Sequence, residues 1–277
     1  MRQLKHTQAH ERSTDLGEAG PTGAGGGRLV GSDRVLAVLK ALARHPGGVG
    51  LEELTRAIGS PKPTVHRALG ALRRAGLADQ DVRGRYGLGD EFLRMAFAHH
   101  EARPEHLRVR PVLEALAHRF GETAHYAVLD GHEVVYRAKV DPPAGAVRLT
   151  STIGGRNPAH STAVGKLLLA GRLGTLAEVE AWIGTAPPAR RTPRTLCTAA
   201  GLHRELTATA AQGYACDDQE NETGVNCLAL PVFLTSPTMP SGAVSVSALA
   251  YRTPLTVLVD ALDEIRALLG RLGEPYR

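Results

Sequence analysis

Cys227, His160 and Asp217 are the residue types from which a thiol nucleophile, its general base and an orienting carboxylate are assembled. Read that way, the chain is a thiol-dependent hydrolase with a basic docking domain. The same cysteine sits in the apolar run 225–232, where it reads equally well as a small buried hydrophobe. Sequence separation alone leaves both readings open. Ser245 and Ser247 alternate with Val244 and Val246, so both hydroxyls project from one side of a strand. Gly165-Lys166 hints at a phosphate loop, but that loop needs Gly at 160 and Ser or Thr at 167. His160 and Leu167 stand there instead. What remains is a helix start whose free N–H groups, from about Ser161 to Val164, suit a carboxylate. With the acidic segment 217–222, read as a loop, these groups make a small polar pocket of helix N-terminus, thiol, two hydroxyls and a carboxylate.

Metal and redox chemistry find less support. The three cysteines, Cys197, Cys216 and Cys227, form no CxxC pair. His99, His100, Glu101 and His106 match no ligand spacing, so no metal and no cofactor is expected. A redox response through Cys216 and Cys227 is a further reading of the thiols.

A second kind of chemistry lies near the front of the chain. Three short apolar stripes at helical spacing (Val35, Val38, Leu39 and Leu42; Leu51, Leu54 and Ile58; Val65, Leu69 and Leu72) are separated by Gly- and Pro-rich stops. Only about four residues, from Gly59 to Lys62, join the second helix to the third, the spacing of a helix-turn-helix. The segment 77–88 then reads as a hairpin turning at Arg83-Gly84, which makes a wing. Between Arg56 and Arg85 there are seven Lys/Arg against two acids, Asp79 and Asp81. The residues assigned to DNA are Lys62, Thr64, Val65, His66, Arg67 and Arg73 on the third helix, with Arg83 and Arg85 on the wing. Arg67 has the fork geometry for guanine.

The elements that must position these groups divide the 277 residues in two. The net charge of +5 lies wholly in residues 1–103, with 16 Lys/Arg and 11 Asp/Glu; residues 104–277 hold 17 of each. Residues 1–28 read as a disordered tail without a secretory signal. No apolar run approaches membrane-spanning length, so a cytoplasmic protein is expected, with no membrane partner. Residues 29–90 form the winged unit and 91–104 a linker helix whose apolar side, 92–97, suits a dimer contact. Residues 105–277 read as a second domain, of sensor type. Strands are expected at 123–129, 133–138, 147–151, 225–232 and 243–250, with helices from 160, over about 199–213, and over 255–272. The fold class is therefore α+β, an antiparallel sheet flanked by helices behind a winged helix-turn-helix.

From about residue 30 to 272 the chain resembles the IclR-type transcriptional regulators. The resemblance rests on Pro61-Lys62-Pro63-Thr64-Val65-His66-Arg67-Ala68-Leu69, Gly84-Arg85-Tyr86-Gly87-Leu88-Gly89 and Pro158-Ala159-His160-Ser161-Thr162-Ala163-Val164-Gly165-Lys166. It extends through Gly213-Tyr214-Ala215-Cys216-Asp217-Asp218, Gly224-Val225-Asn226-Cys227 and Ser245-Val246-Ser247. It implies a GAF-like C-terminal sensor, a homodimer or homotetramer on double-stranded operator DNA, and control by a small-molecule effector, often a carboxylate, with repression the favoured sign. It also implies that the effector lies against Ala163 and Val164, with Asp217, Cys227, Ser245 and Ser247 around it and Leu149 as an apolar wall. A sensor of this kind is not an enzyme. Pro63 departs from the family's usual Ser or Thr and removes a side-chain helix cap.

Overall fold

A computed structural model describes residues 31–101, 105–142 and 149–272. The expected tail at 1–28, the end of the linker helix at 102–104, and the first part of the strand expected at 147–151 lie outside the described residues. The chain divides into two compact units, residues 1–99 and 100–277.

The first unit packs α1 (Gly31–Ala43), α2 (Leu51–Ile58) and α3 (Lys62–Arg74) around Val38, Leu42, Leu54, Val65, Leu69 and Leu72. Gly59 ends α2 in the left-handed region (φ 65°), and its N–H donates to the Thr55 carbonyl, a closure that favours glycine. Pro61 then starts α3 with no side-chain cap, and Pro63 fills an early helical position that has no N–H to satisfy. Strands β1 (Ala78–Gln80) and β2 (Tyr86–Leu88) form the wing, and Val49 exchanges both backbone hydrogen bonds with Tyr86 to add a third edge. The Asp81 carboxylate accepts from the Arg83 and Arg85 amides and closes the wing tip. Helix α4 (Asp90–Glu101) follows, leaving Leu93, Met95 and Phe97 exposed.

The second unit is a six-stranded antiparallel sheet between two helical layers. Its strands are β3 (Thr123–Asp130), β4 (Glu133–Val140), β5 (Arg156–Pro158), β6 (Ala215–Asp218), β7 (Val225–Val232) and β8 (Gly242–Leu249), in spatial order β5-β4-β3-β8-β7-β6. One face packs Tyr126, Leu228, Leu230, Val244 and Val246 against α5 (Glu105–Phe120), α9 (Leu255–Asp260) and α10 (Leu262–Leu269). The other packs Ala127, Val134, Ala215, Ala229 and Ala243 against α6 (Ala163–Ala170), α7 (Leu176–Ile183) and α8 (Ala199–Gln212). Small residues line the second face, so α6 sits close.

Four expectations change. The described residues 149–151 are not a strand; the third strand is β5, whose backbone pairs with β4. Asp217 and Asp218 belong to strand β6 and not to a loop. The closing helix is two helices broken at Ala261. Val65 is fully buried among Val38, Leu42 and Leu69, so it holds α3 in place and does not face DNA.

Candidate functional site

Strand register brings the polar residues of the second unit together. Asp217 pairs with Cys227 across β6 and β7, and Cys227 with Ser247 across β7 and β8. In the next row Ala229 pairs with Ser245, Ser245 with His125, and His125 with Lys139. Side chains of one row share a face, so Asp217, Cys227, Ser247, Ser245 and His125 form the floor of a cleft of about 260 Å³. A bulge between Tyr126 and Ala127 shifts the β3–β4 register and brings Tyr136 to the same face.

Helix α6 supplies one wall. Thr162, extended at φ −109°, caps it by accepting the Gly165 N–H at 3.1 Å. The first helical residues, Ala163 and Val164, line the cleft, where first-turn amides have no partner within the helix. Gly165 is required by contact: a Cβ there would lie 2.1 Å from the Ala159 carbonyl oxygen. The segment 149–157 forms the opposite wall, held by the Lys139 ammonium, which donates to the carbonyls of Leu149 (2.9 Å) and Ser151 (2.7 Å). Leu149, Ala163, Val164, Asp217, Cys227, Ser245 and Ser247 thus all line one cavity.

Several lining residues escape the sequence reading, among them His125, Tyr136, Asn157 and Arg191. His125 is buried between two hydroxyls, with Nε2 2.8 Å from Ser151 Oγ and Nδ1 3.3 Å from Ser247 Oγ. Burial, aided by the nearby Lys139 ammonium, lowers its pKa to about 3, so the imidazole is neutral. Asn157 Nδ2 donates to the Tyr136 hydroxyl at 3.1 Å. Alternation in β3 is the signal that put His125 on one face; the register that carries it beside Ser245 is not local.

Burial pushes the Asp217 carboxyl up to about 7, with the Glu220 charge adding to the shift. The Glu220 N–H (2.6 Å) and Asn221 N–H (3.3 Å) donate to Asp217 Oδ1 and oppose it, as does Lys166. Lys166, whose neighbours suggested a phosphate loop, is wholly buried. It bonds Glu205 at 2.9 Å and also Glu220.

The hydrolase reading fails on geometry. His160 Nε2 donates to the Ala189 carbonyl at 3.0 Å and lines a separate cleft with Trp182 and Pro188. Cys227 donates to Ser247 Oγ at 3.1 Å, and burial raises its thiol well above the usual range. Neither base nor thiolate is in place. The redox pairing fails too: Cys216 packs toward α5 and Cys227 toward α6, so their side chains point to opposite faces.

In the first unit, Lys62, His66, Arg67, Arg73, Arg83 and Arg85 are exposed and Thr64 is half-buried. Lys62 pairs with Glu52 at 3.0 Å, and Arg73 donates to Gln80 at 3.0 Å. Arg85 reaches back to the Gly48 carbonyl. Val82 stands fully exposed at the wing tip.

Two family models match the chain: the IclR helix-turn-helix domain over residues 32–82 and the bacterial transcriptional regulator IclR C-terminal domain over 106–268. The chain belongs to the IclR family of bacterial transcriptional regulators. It is 32% identical to the HTH-type transcriptional regulator XynR of Escherichia coli K12 over 248 residues, 88% of this chain and 97% of that protein. It is 30% identical to the transcriptional repressor IclR of the same organism, over 80% of each chain. A similar fold occurs in an IclR homolog from Microbacterium hydrocarbonoxydans complexed with 4-hydroxybenzoate. That match has a TM-score of 0.73 and 21% identity, and covers 86% of this chain and 97% of that one. IclR membership carries the coarse function: transcriptional regulation by a helix-turn-helix domain joined to an effector-binding C-terminal domain. Among the described residues no helix is long and apolar enough to cross a membrane.

Proposed function

We propose that the chain is a cytoplasmic repressor whose operator affinity is set by a small carboxylate held in the α6 cleft. The observation that carries the ligand half is the meeting of the α6 N-terminus with hydroxyls and a buried carboxyl of raised pKa in one cavity. Ala163 and Val164 offer amides to the carboxylate, Ser245, Ser247 and Asp217 bond its other polar atoms, and Leu149 and Cys227 pack against its carbon skeleton. The aromatic acid held by the Microbacterium relative supports this ligand class.

On the DNA side, α3 lies in the major groove. Arg67 and His66 reach base edges, Lys62, Thr64 and Arg73 meet phosphates, and the wing tip with Arg83 enters the minor groove. Arg85 stiffens the wing. Two copies cover two half-sites, joined through Leu93, Met95 and Phe97 of α4, in a homodimer or homotetramer. The name of the E. coli repressor relative supports the sign.

The test is a footprint of the purified protein on DNA flanking its own coding region, repeated with a panel of small carboxylates. Protection that at least one carboxylate relieves supports the reading, and protection indifferent to all of them removes the sensor half. R67A should cost about 1–3 kcal/mol on the protected site and much less on random DNA. Equal losses on both would make Arg67 a phosphate contact.

A further inference from the structure

The cleft carries a cation that no described residue pairs. Segment 190–194 holds three arginines. Arg190 donates to the Pro193 carbonyl at 3.2 Å, and Arg194 bonds the Asp218 carboxylate. Only Arg191 of the three lines the α6 cleft, and its guanidinium has no hydrogen-bond or ion-pair partner among the described residues. Its backbone is nevertheless fixed. The Arg191 N–H donates to Thr195 Oγ1 at 3.0 Å, and Thr195 Oγ1 in turn donates to the Glu220 carbonyl at 2.7 Å. Thr192 Oγ1 adds a bond to the Gln219 carbonyl at 2.8 Å. The arginine loop is thereby stapled to the segment that follows Asp217.

The other cation of the cleft is already committed: Arg156 bonds both Glu133, at 3.0 Å, and Asp130. Of the two carboxylates lining it, Asp217 is buried and bonded to backbone, and Glu222 is exposed and forms no ion pair with Arg191. An exposed guanidinium on an anchored backbone, unpaired among the described residues and lining a cavity, is suited to a planar anion.

Building on the proposed function, we infer that Arg191 reads a second anionic group, so that the effector is a short dicarboxylate: one carboxylate lies at the α6 N-terminus and the other at Arg191. The cavity of about 260 Å³ equals about nine water volumes of about 30 Å³, which suits about ten non-hydrogen atoms. Straight-chain diacids from malonate to adipate fall within that size.

The experiment is calorimetric titration of the full-length protein with three matched series. These are malonate through adipate with their 2-hydroxy forms, monocarboxylates of equal chain length, and ω-amino acids of equal length. At least one diacid should bind about tenfold more tightly than its monoacid match. R191Q should bring that ratio below about twofold, and R191K should retain part of it because a lysine keeps the charge without the fork. A diacid preference that survives R191Q, or its absence while monoacids bind, overturns the Arg191 assignment and leaves the carboxylate-sensor reading standing. Tighter binding of an ω-amino acid also overturns it, because Glu222 would then read the distal group. Binding of none of the three series overturns both. The melting temperature of R191Q monitors folding separately, since the guanidinium it removes makes no bond within the described structure.

Discussion

Asp217 is a buried acid whose charge the fold resists, and replacing it with asparagine tests that directly. Its carboxyl stands at about 7 in the folded chain against an ordinary value of 3.8. Burial is the largest cause. The difference is about 3 pH units, or about 4 kcal/mol at about 1.36 kcal/mol per unit. Because the folded value is raised, the native state keeps a proton that the unfolded chain has released between about pH 4 and pH 7. This group's contribution to stability therefore falls as pH rises through that window and is constant above it. D217N imitates the protonated acid: its amide oxygen still accepts from the Glu220 and Asn221 N–H groups that bond Asp217 now. Glu220 titrates in both proteins and largely cancels from the difference. The two proteins should be equally stable near pH 4, and the mutant should gain with rising pH, up to about 4 kcal/mol by pH 8. Urea unfolding of both proteins at half-unit steps from pH 4.5 to 8.5 measures it. A D217N variant less stable than the parent at pH 8, or a difference that does not change with pH, would refute the reasoning.

Three other outcomes follow from the same cleft. G165A should destabilise the C-terminal unit by at least about 1–3 kcal/mol and abolish effector binding, since the new Cβ would lie 2.1 Å from the Ala159 carbonyl oxygen; a melting curve matching the parent's would contradict it. K166M should cost about 3–5 kcal/mol by leaving Glu220 without its cation, and adding E220Q should restore most of that; equal stability of single and double variants would show the buried pair to be uncoupled. Iodoacetamide at pH 7.5 should leave Cys227 unmodified in the folded protein and modify it in urea, as followed by mass spectrometry; labelling of the folded protein at a free-thiol rate would restore the case for a reactive thiolate.

The front unit was legible in the sequence because its contacts are local. The stripe Val65, Leu69 and Leu72, the stop at Gly59 and the turn at Arg83-Gly84 each lie within one or two turns of the residues they position. Val65 shows the limit of reading by neighbourhood: it stands between Thr64 and His66 in the chain, yet it points inward. In the rear unit, alternation was enough to put Ser245 and Ser247 on one face, and it did so correctly. Family resemblance added Leu149, which no local pattern marks.

Alternation cannot say which strand lies beside which, and here that decides the chemistry. Cys227 had two possible histidine neighbours. His160 is close in sequence to the helix that walls the cleft, but its ring turns to the Ala189 carbonyl. His125 lies 102 positions from Cys227 in the chain, and pairing of β3 with β8 seats it beside Ser247, to which the thiol donates. A base at hydrogen-bond distance from the thiol would draw its proton away; a neutral imidazole reached only through a serine hydroxyl leaves the proton on sulfur. The same residue types that suggested catalysis therefore become a polar wall once the order β4-β3-β8-β7-β6 is known.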